Sequence, residues 1–196
     1  IDGEGSLAVL EDVSVQNNNS TGVFVLGGGG VRIERGHVGS NVFSGVTVSG
    51  RGSRALVNGT RIVLNGNHGL WVFGGGEILA EAVTVEDNAF SGATAQNIGS
   101  VVVLRDSHVS ANQNSGAWSV DGGQVRVEGG EISANALSGV AVEGEGSLAQ
   151  IEGAVLANNG QAGVWFQAGG GGVVRRSLLQ GNLSLGLAVQ DLVEEV

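Results

Sequence analysis

The three tryptophans of this chain have the most regular spacing among the side chains that could bind a ligand. Trp71, Trp118 and Trp165 follow one another at intervals of 47 residues. Rings at fixed intervals could stack on the apolar faces of an extended glycan, because aromatic side chains offer large flat apolar surfaces. They could equally contact another protein chain, or do no more than shield their own neighbours. The sequence leaves these three interpretations open.

Three histidines are the other candidates for chemistry. His37, His68 and His108 lie in different parts of the chain, and His68 occupies a different repeat position from the other two. Asp106 lies two residues before His108, but no serine is matched to them. A nucleophile, its base and an orienting acid must lie within hydrogen-bond reach. We therefore expect surface histidines, no catalytic residues and no metal site.

The composition excludes several classes of partner. The 196 residues include 19 Asp and Glu against 9 Lys and Arg, which gives a net charge of -10. Such a chain repels phosphate backbones, so we expect no nucleic-acid partner. No apolar run approaches the ~20 residues of a membrane-spanning helix, so we expect no membrane insertion. Cysteine is absent, which removes disulfides and thiolate ligands, and we expect no cofactor.

The elements that position these side chains follow from an internal repeat. A glycine followed by apolar-x-apolar recurs every 23 or 24 residues, at Gly22, Gly45, Gly69, Gly92, Gly116, Gly139, Gly163 and Gly186. Two such coils form a unit of 47 residues, and the units are 5–51, 52–98, 99–145 and 146–192. Glycine makes up 37 residues and proline is absent, as suits tight bends between hydrogen-bonded strands.

Each coil is predicted to contain three short strands. Apolar residues alternate with outward residues, which is typical of half-buried strands, and no segment keeps a helical period. One inward column holds Leu10, Ile33, Val57, Ala80, Leu104, Val127, Ile151 and Val174. A second holds Val15, Val38, Ile62, Val85, Val109, Ile132, Leu156 and Leu179. Stacked coils would bury one continuous core, so the predicted fold is an all-β, right-handed parallel β-helix.

An asparagine lies four residues before each repeat glycine. The eight are Asn18, Asn41, Asn65, Asn88, Asn112, Asn135, Asn159 and Asn182. Asparagine tolerates the left-handed backbone of a sharp bend, and its amide both donates and accepts hydrogen bonds. We expect a structural ladder of stacked amides, because such a ladder satisfies its own polar groups.

The repeats resemble a known family. Residues 125–142 (VRVEGGEISANALSGVAV) are similar to the right-handed parallel β-helix repeats of the pectin-lyase-like superfamily, in which an asparagine ladder lines one turn. The resemblance covers residues 5–192 and implies the fold. That superfamily includes lyases, hydrolases, epimerases, phage tailspikes and adhesins, so the resemblance implies no single activity.

A polysaccharide lyase of that superfamily uses acidic residues that bind calcium, with a basic residue near the first strand. The corresponding outward column here reads Glu11, Glu34, Asn58, Glu81, Arg105, Glu128, Glu152 and Arg175. It shows no acidic cluster with a nearby lysine, and the uniform coils leave no long loops. Calcium is therefore expected only if the chain is a lyase, and the column is interpreted as a solvated face in which Arg105 relieves repulsion between Glu81 and Glu128.

The outward column on the third strand is the predicted ligand or partner surface. It reads Phe24, Thr47, Trp71, Thr94, Trp118, Ala141, Trp165 and Ala188. A second outward patch on the first strand, formed by Leu56, Leu79 and Val103, favours protein contact. We expect a non-catalytic scaffold or interaction module that contacts a protein or associates with itself. The alternative is a protein that binds or cleaves a polysaccharide along its outer strands.

The chain is expected to form one domain, residues 1–196, within a longer solenoid. Residues 1–6 (IDGEGS) match residues 142–147 (VEGEGS), which join one unit to the next. Residues 1–10 lack the pattern of a signal peptide. A scaffold of this kind is expected outside the cell or on its surface.

Overall fold

The computed structural model describes residues 1–190, and strands alone make up its regular structure there. The strands in chain order are β1 (Leu7–Glu11), β2 (Ser14–Gln16), β3 (Val23–Val25), β4 (Gly30–Glu34), β5 (His37–Gly39), β6 (Val46–Ser49), β7 (Arg54–Asn58), β8 (Arg61–Val63), β9 (Leu70–Phe73), β10 (Glu77–Glu81), β11 (Thr84–Glu86), β12 (Ala93–Gln96), β13 (Val101–Arg105), β14 (His108–Ser110), β15 (Ala117–Val120), β16 (Gln124–Glu128), β17 (Glu131–Ser133), β18 (Val140–Glu143), β19 (Leu148–Glu152), β20 (Val155–Ala157), β21 (Ala162–Gln167), β22 (Gly171–Arg175), β23 (Leu178–Gln180) and β24 (Leu185–Gln190). Residues 191–196, which include the last two residues of the predicted unit 146–192, lie outside the described part.

Every third strand joins the same parallel sheet. The first sheet runs from β1 to β22, the second from β2 to β23, and the third from β3 to β24, with eight strands in each. One turn of the chain therefore contributes one strand to each sheet, and eight coils stack into a parallel β-helix. The predicted fold class is confirmed. At about 4.8 Å between hydrogen-bonded strands, the rod is roughly 38 Å long.

Side chains of one column stack in register through the core. Leu10 pairs with Ile33, and Ile33 with Val57, as the first inward column predicts. Val15 pairs with Val38, and the second column continues in the same way to Leu179. These residues form one hydrophobic cluster along the rod, in which Leu10, Val15, Val174 and Leu179 in the outermost coils are only partly buried.

The asparagine ladder is present along its whole predicted length. In each of seven links an Nδ2 group donates to the Oδ1 atom of the asparagine one coil further on, at 2.9 to 3.0 Å. The same Oδ1 atom also accepts the backbone N–H of the preceding asparagine, as Asn135 does from Asn112. Asn41 through Asn159 are buried, so the ladder satisfies polar groups that water cannot reach.

The left-handed residue of this bend precedes the asparagine. Asn17, Ser40 and Leu64 have φ angles of 57°, 53° and 56°, whereas the ladder asparagines that follow them keep negative φ. The sequence argument that asparagine itself adopts the left-handed conformation was therefore wrong. Its side chain is required for hydrogen bonding, and its neighbour in the chain makes the bend.

The repeat glycines also serve a purpose that differs from the predicted one. They do not have positive φ. A Cβ atom added to Gly45 would lie 2.8 Å from the carbonyl oxygen of Gly69 and 2.9 Å from Nδ2 of Asn65. Glycine is needed here because the next coil and its ladder amide approach too closely for any side chain.

The turn between the third and first sheets alternates in length. Val25 pairs with Val48, and Gly30 pairs with Arg54. The chain therefore takes five steps from Val25 to Gly30 in the first coil, but six steps from Val48 to Arg54 in the second. The longer turns end in Ser53, Ser100 and Ser147, whose hydroxyls accept the backbone N–H groups of Gly28, Gly75 and Gly122 in the preceding coil at 2.9 to 3.0 Å. Long and short turns thus bond to each other within a pair of coils.

Candidate functional site

The third sheet places the predicted aromatic residues in one row. Register pairs Trp71 with Thr94, Thr94 with Trp118, Trp118 with Ala141, and Ala141 with Trp165. Each tryptophan ring is half-buried on the outer side of the sheet. The three tryptophans, which we call the tryptophan row, therefore recur every second coil, about 9.6 Å apart.

The interval between Trp71 and Trp118 is filled by other side chains. His68 lies with its ring centroid 5.4 Å from that of Trp71 and 4.9 Å from that of Phe90. Phe90 in turn lies 5.8 Å from Trp118. Nδ1 of His68 is 2.9 Å from the hydroxyl of Thr94, directly between the two tryptophans. This half of the row is a packed cluster of side chains.

His68 differs from the surface histidine that the sequence suggested. Its exposed fraction is 6%, and burial lowers its pKa to about 4 because the protonated ring would lose its hydration. The imidazole is therefore neutral at pH 7 and serves as a packing and hydrogen-bonding group. His37 and His108 are partly exposed, as expected.

Thr47 and Thr94 do not contribute to the surface predicted for them. They occupy the outward row, but their exposed fractions are 3% and 1%. Thr47 lies between Phe24 and Trp71 in the register, and Thr94 lies between Trp71 and Trp118 and contacts His68. Thr47 and Thr94 are therefore too buried to form part of a ligand or partner surface. Phe24, in the same row, is exposed.

The interval between Trp118 and Trp165 is open. At the positions equivalent to His68, Phe90 and Thr94, this interval has the smaller side chains Ser115, Leu137 and Ala141. The result is a cleft of about 290 Å³ with a tryptophan at each end and Ala141 between them. We call it the tryptophan cleft.

Polar groups border the tryptophan cleft. Its polar lining residues are Asn114, Ser115, Ser138, Glu143, Gln161 and Gln167. Oδ1 of Asn114 accepts the backbone N–H of Ser115 at 2.7 Å, which fixes the orientation of the amide. Nε1 of Trp165 is buried and has no partner within residues 1–190, so its N–H group is not available to a ligand in the cleft. The cleft therefore combines apolar stacking surfaces with hydrogen-bonding groups.

Sequence reasoning found the row but missed the cleft. The signal was present in the differences between equivalent positions, namely Ser115 in place of His68 and Ala141 in place of Thr94. These differences indicate a cleft only once it is known that Ser115 and Ala141, which are 26 positions apart, lie in neighbouring coils on the same side of the rod.

A second surface lies on the outer face of the first sheet. A groove of about 570 Å³ is lined by the side chains of Leu7, Val9, Arg32, Arg54, Leu56, Glu77 and Leu79. Leu7, Val9 and Leu56 have exposed fractions of 71%, 54% and 49%. Val103 is only 8% exposed, so the predicted apolar patch does not extend to it. We call this surface the first-sheet groove.

The charged column of the first sheet has the predicted ion pair. Nε of Arg105 donates to Glu128 at 2.9 Å, and this bond raises the pKa of the guanidinium. Within residues 1–190, no three carboxylate or imidazole groups lie close enough together to hold a metal ion. No helix suited to spanning a membrane occurs in the same range.

The comparisons with known proteins agree on the fold. A family model described as "Right handed beta helix region" matches residues 1–149 and, in a second match, residues 97–193. Among solved structures, the crystal structure of the periplasmic alginate epimerase AlgG is similar, with a TM-score of 0.64 and 15% identity over 92% of this chain and 51% of that one. This chain thus corresponds to about half of the epimerase chain, and at that identity the likeness concerns the fold alone. No curated protein sequence matches the chain significantly. The chain belongs to the right-handed β-helix family.

Proposed function

We propose that this protein is a non-catalytic interaction module that associates with a second copy of itself. The observation that carries the proposal is the first-sheet groove, in which Leu7, Val9 and Leu56 expose about half or more of their surface. Arg32 lies between Val9 and Leu56 in the register of the sheet. Exposed apolar side chains grouped in one groove commonly mark an interface. Removing it from water yields roughly 25 cal/mol for each Å² buried.

The charges beside the groove suit contact between identical surfaces. Nε of Arg32 donates to Glu34 at 2.6 Å, and Nε of Arg54 lies 3.5 Å from the Glu77 carboxylate. A two-fold interface places one patch against its own copy, so a patch that carries both signs of charge can be complementary to itself. Exposed ion pairs contribute only ~0–1 kcal/mol, so we assign the attraction to the leucines and the orientation to the charges.

Sedimentation velocity over a range of protein concentrations tests self-association. We expect the wild-type chain to shift from monomer to dimer, and Leu56→Asp to stay monomeric because a carboxylate would be buried in the contact. Leu64→Asp is the matched control, since Leu64 is 59% exposed in a turn outside the groove. A wild-type chain that stays monomeric at all concentrations, or a dimer that persists in Leu56→Asp, would refute the proposed contact.

Carbohydrate binding is the second candidate, and the tryptophan cleft supports it. Two stacking rings with hydrogen-bonding groups between them are suited to a sugar, which has apolar ring faces and polar edges. The similar fold of an alginate epimerase supports a carbohydrate as the class of ligand. Among residues 1–190, Glu143 is the single ionisable residue that lines the cleft, so we propose binding without cleavage and without calcium.

We also propose that the protein acts outside the cytoplasm, on the cell surface or beyond it. The similar epimerase is periplasmic, which supports this location. Fractionation of the source cells, followed by detection with an antibody against the rod, tests it. Recovery in the cytoplasmic fraction alone would contradict it.

A further inference from the structure

We propose that the tryptophan cleft binds a neutral glycan chain that runs parallel to the axis of the rod. This inference rests on the carbohydrate-binding candidate and adds the place, the direction and the charge class of the ligand. It concerns the third sheet, whereas the self-association surface lies on the first.

The direction follows from the repetition of the site. Trp118 and Trp165 lie two coils apart, about 9.6 Å along the axis. Each is preceded by an amide four residues earlier, Asn114 before Trp118 and Gln161 before Trp165. Both amides line the cleft. A ring and its amide form one subsite, and the two equivalent subsites are aligned with the rod, as a ligand with its own repeat along one direction would require.

The open space between the rings follows from small side chains. Ala141 lies between the two tryptophans in the register of the third sheet, and Ser115 replaces the bulk of a histidine. In the equivalent interval one unit earlier, His68 and Thr94 occupy this space and hydrogen-bond to each other. The chain therefore provides a filled and an open version of the same site, and we expect one glycan segment bound per chain.

The charge class follows from the lining. The polar groups are amides and hydroxyls, together with the single carboxylate of Glu143, and neither lysine nor arginine lines the cleft. A uronate or sulfated sugar would bring its negative charge beside Glu143 with no cation to offset it, on a protein whose net charge is already -10. Amides and hydroxyls instead match the neutral hydroxyl groups of an uncharged glycan.

Isothermal titration with defined oligosaccharides tests the inference. The neutral probes are hexasaccharides of β-1,4-glucan, α-1,4-glucan, β-1,4-mannan and β-1,4-xylan, and the acidic probes are hexamers of galacturonate and of alginate. We expect at least one neutral probe to bind with a stoichiometry near one, and the acidic probes to bind at least tenfold more weakly. Trp118→Ala and Trp165→Ala should each weaken binding at least tenfold.

The side chains between Trp71 and Trp118 suggest a variant that closes the cleft while keeping Trp118 and Trp165. The double substitution Ser115→His with Ala141→Thr rebuilds the arrangement of His68 and Thr94 between Trp118 and Trp165. We expect it to abolish binding, while the far-UV circular dichroism spectrum stays that of the parent. Trp71→Phe, in the filled interval, is the matched control and should bind like the wild type.

The possible results separate this inference from the broader candidate. Binding of an acidic probe without binding of any neutral one would overturn the charge class and leave carbohydrate binding standing. Binding of a neutral probe that the cleft variants do not weaken would overturn the site. If none of the probes binds, both the inference and the carbohydrate-binding candidate are wrong.

Discussion

The burial of His68 predicts a loss of stability on acidification that can be assigned to one side chain. In the folded protein the pKa of His68 is about 4, whereas an unfolded histidine titrates near 6.5. The folded pKa is depressed, so the unfolded chain binds the proton first as the pH falls. The stability that the neutral ring contributes is complete above pH ~6.5 and is lost progressively between pH ~6.5 and 4.

The size of the loss follows from the difference between the two pKa values. Each unit of pKa difference corresponds to about 1.4 kcal/mol, and at pH 4.5 most of the 2.5-unit difference has been expressed. The free energy of unfolding should therefore fall by about 2 to 3 kcal/mol between pH 7.5 and pH 4.5 through His68 alone. Carboxylates titrate in the same range, so the contribution of His68 must be measured as a difference between two proteins.

The comparison is between the wild type and His68→Asn. Asparagine keeps a polar atom near the position of Nδ1 and can still hydrogen-bond to Thr94, but it does not titrate. Urea unfolding followed by tryptophan fluorescence at pH 7.5, 6.0 and 4.5 gives the free energy of unfolding of each. Between pH 7.5 and pH 4.5, we expect the free energy of unfolding of the wild type to fall by about 2 to 3 kcal/mol more than that of His68→Asn.

A second variant serves as the control for replacing a histidine by asparagine. The His108 side chain is 45% exposed, so His108→Asn should change the free energy of unfolding little at pH 7.5. If the wild type and His68→Asn lose stability in parallel as the pH falls, the buried neutral histidine is not the cause, and the account of the filled interval is wrong.

Two further predictions concern the stacking of the coils and use the same unfolding assay. Asn112→Ala removes five hydrogen bonds from the middle of the buried ladder and should lower the free energy of unfolding by roughly 2 to 4 kcal/mol, whereas Asn18→Ala at the exposed first rung should cost less than about 1 kcal/mol. Equal costs would mean that the ladder does not act through buried amides. Gly45→Ala should cost roughly 1 to 3 kcal/mol, since its methyl group would lie 2.8 Å from the carbonyl oxygen of Gly69. Gly171→Ala, where a methyl group meets nothing within 4 Å, should be neutral or slightly stabilising, and a similar loss in both variants would contradict the close-approach argument.

The fold was predictable because every coil repeats the same local pattern. The alternation at Leu10 and the asparagine at Asn112 recur at fixed spacing, so the sequence specifies both the strands and their register. The same periodicity predicted that the three tryptophans lie in one row on alternate coils, as the register shows. The strands, the register and the row could all be predicted because they depend only on the spacing of residues along the chain.

The expectations that the structure overturned concern side-chain contacts in the folded rod. His68 was expected at the surface, but it packs against the rings of Trp71 and Phe90 and is buried. The repeat glycines suggested sharp bends, but the space beside Gly45 is taken by Asn65 of the next coil. Phe90 lies 22 positions from His68, and Asn65 lies 20 positions from Gly45. Contacts over such distances leave no local trace in a single sequence, so burial and open space on the outer face required the structure.

The alternating turns between the third and first sheets determine how this rod can change its length. A long turn with its serine bonds to the glycine of the short turn before it, as Ser53 does with Gly28. Deleting a single coil would bring two turns of the same kind together and break that bond, whereas deleting a pair would restore the pattern. Duplication or loss of genetic material therefore preserves this hydrogen bond only in blocks of two coils, and each new block extends the rod by about 9.6 Å. In three of the four units this block also carries one tryptophan, so a rod lengthened by such a block would repeat the tryptophan row at the same interval.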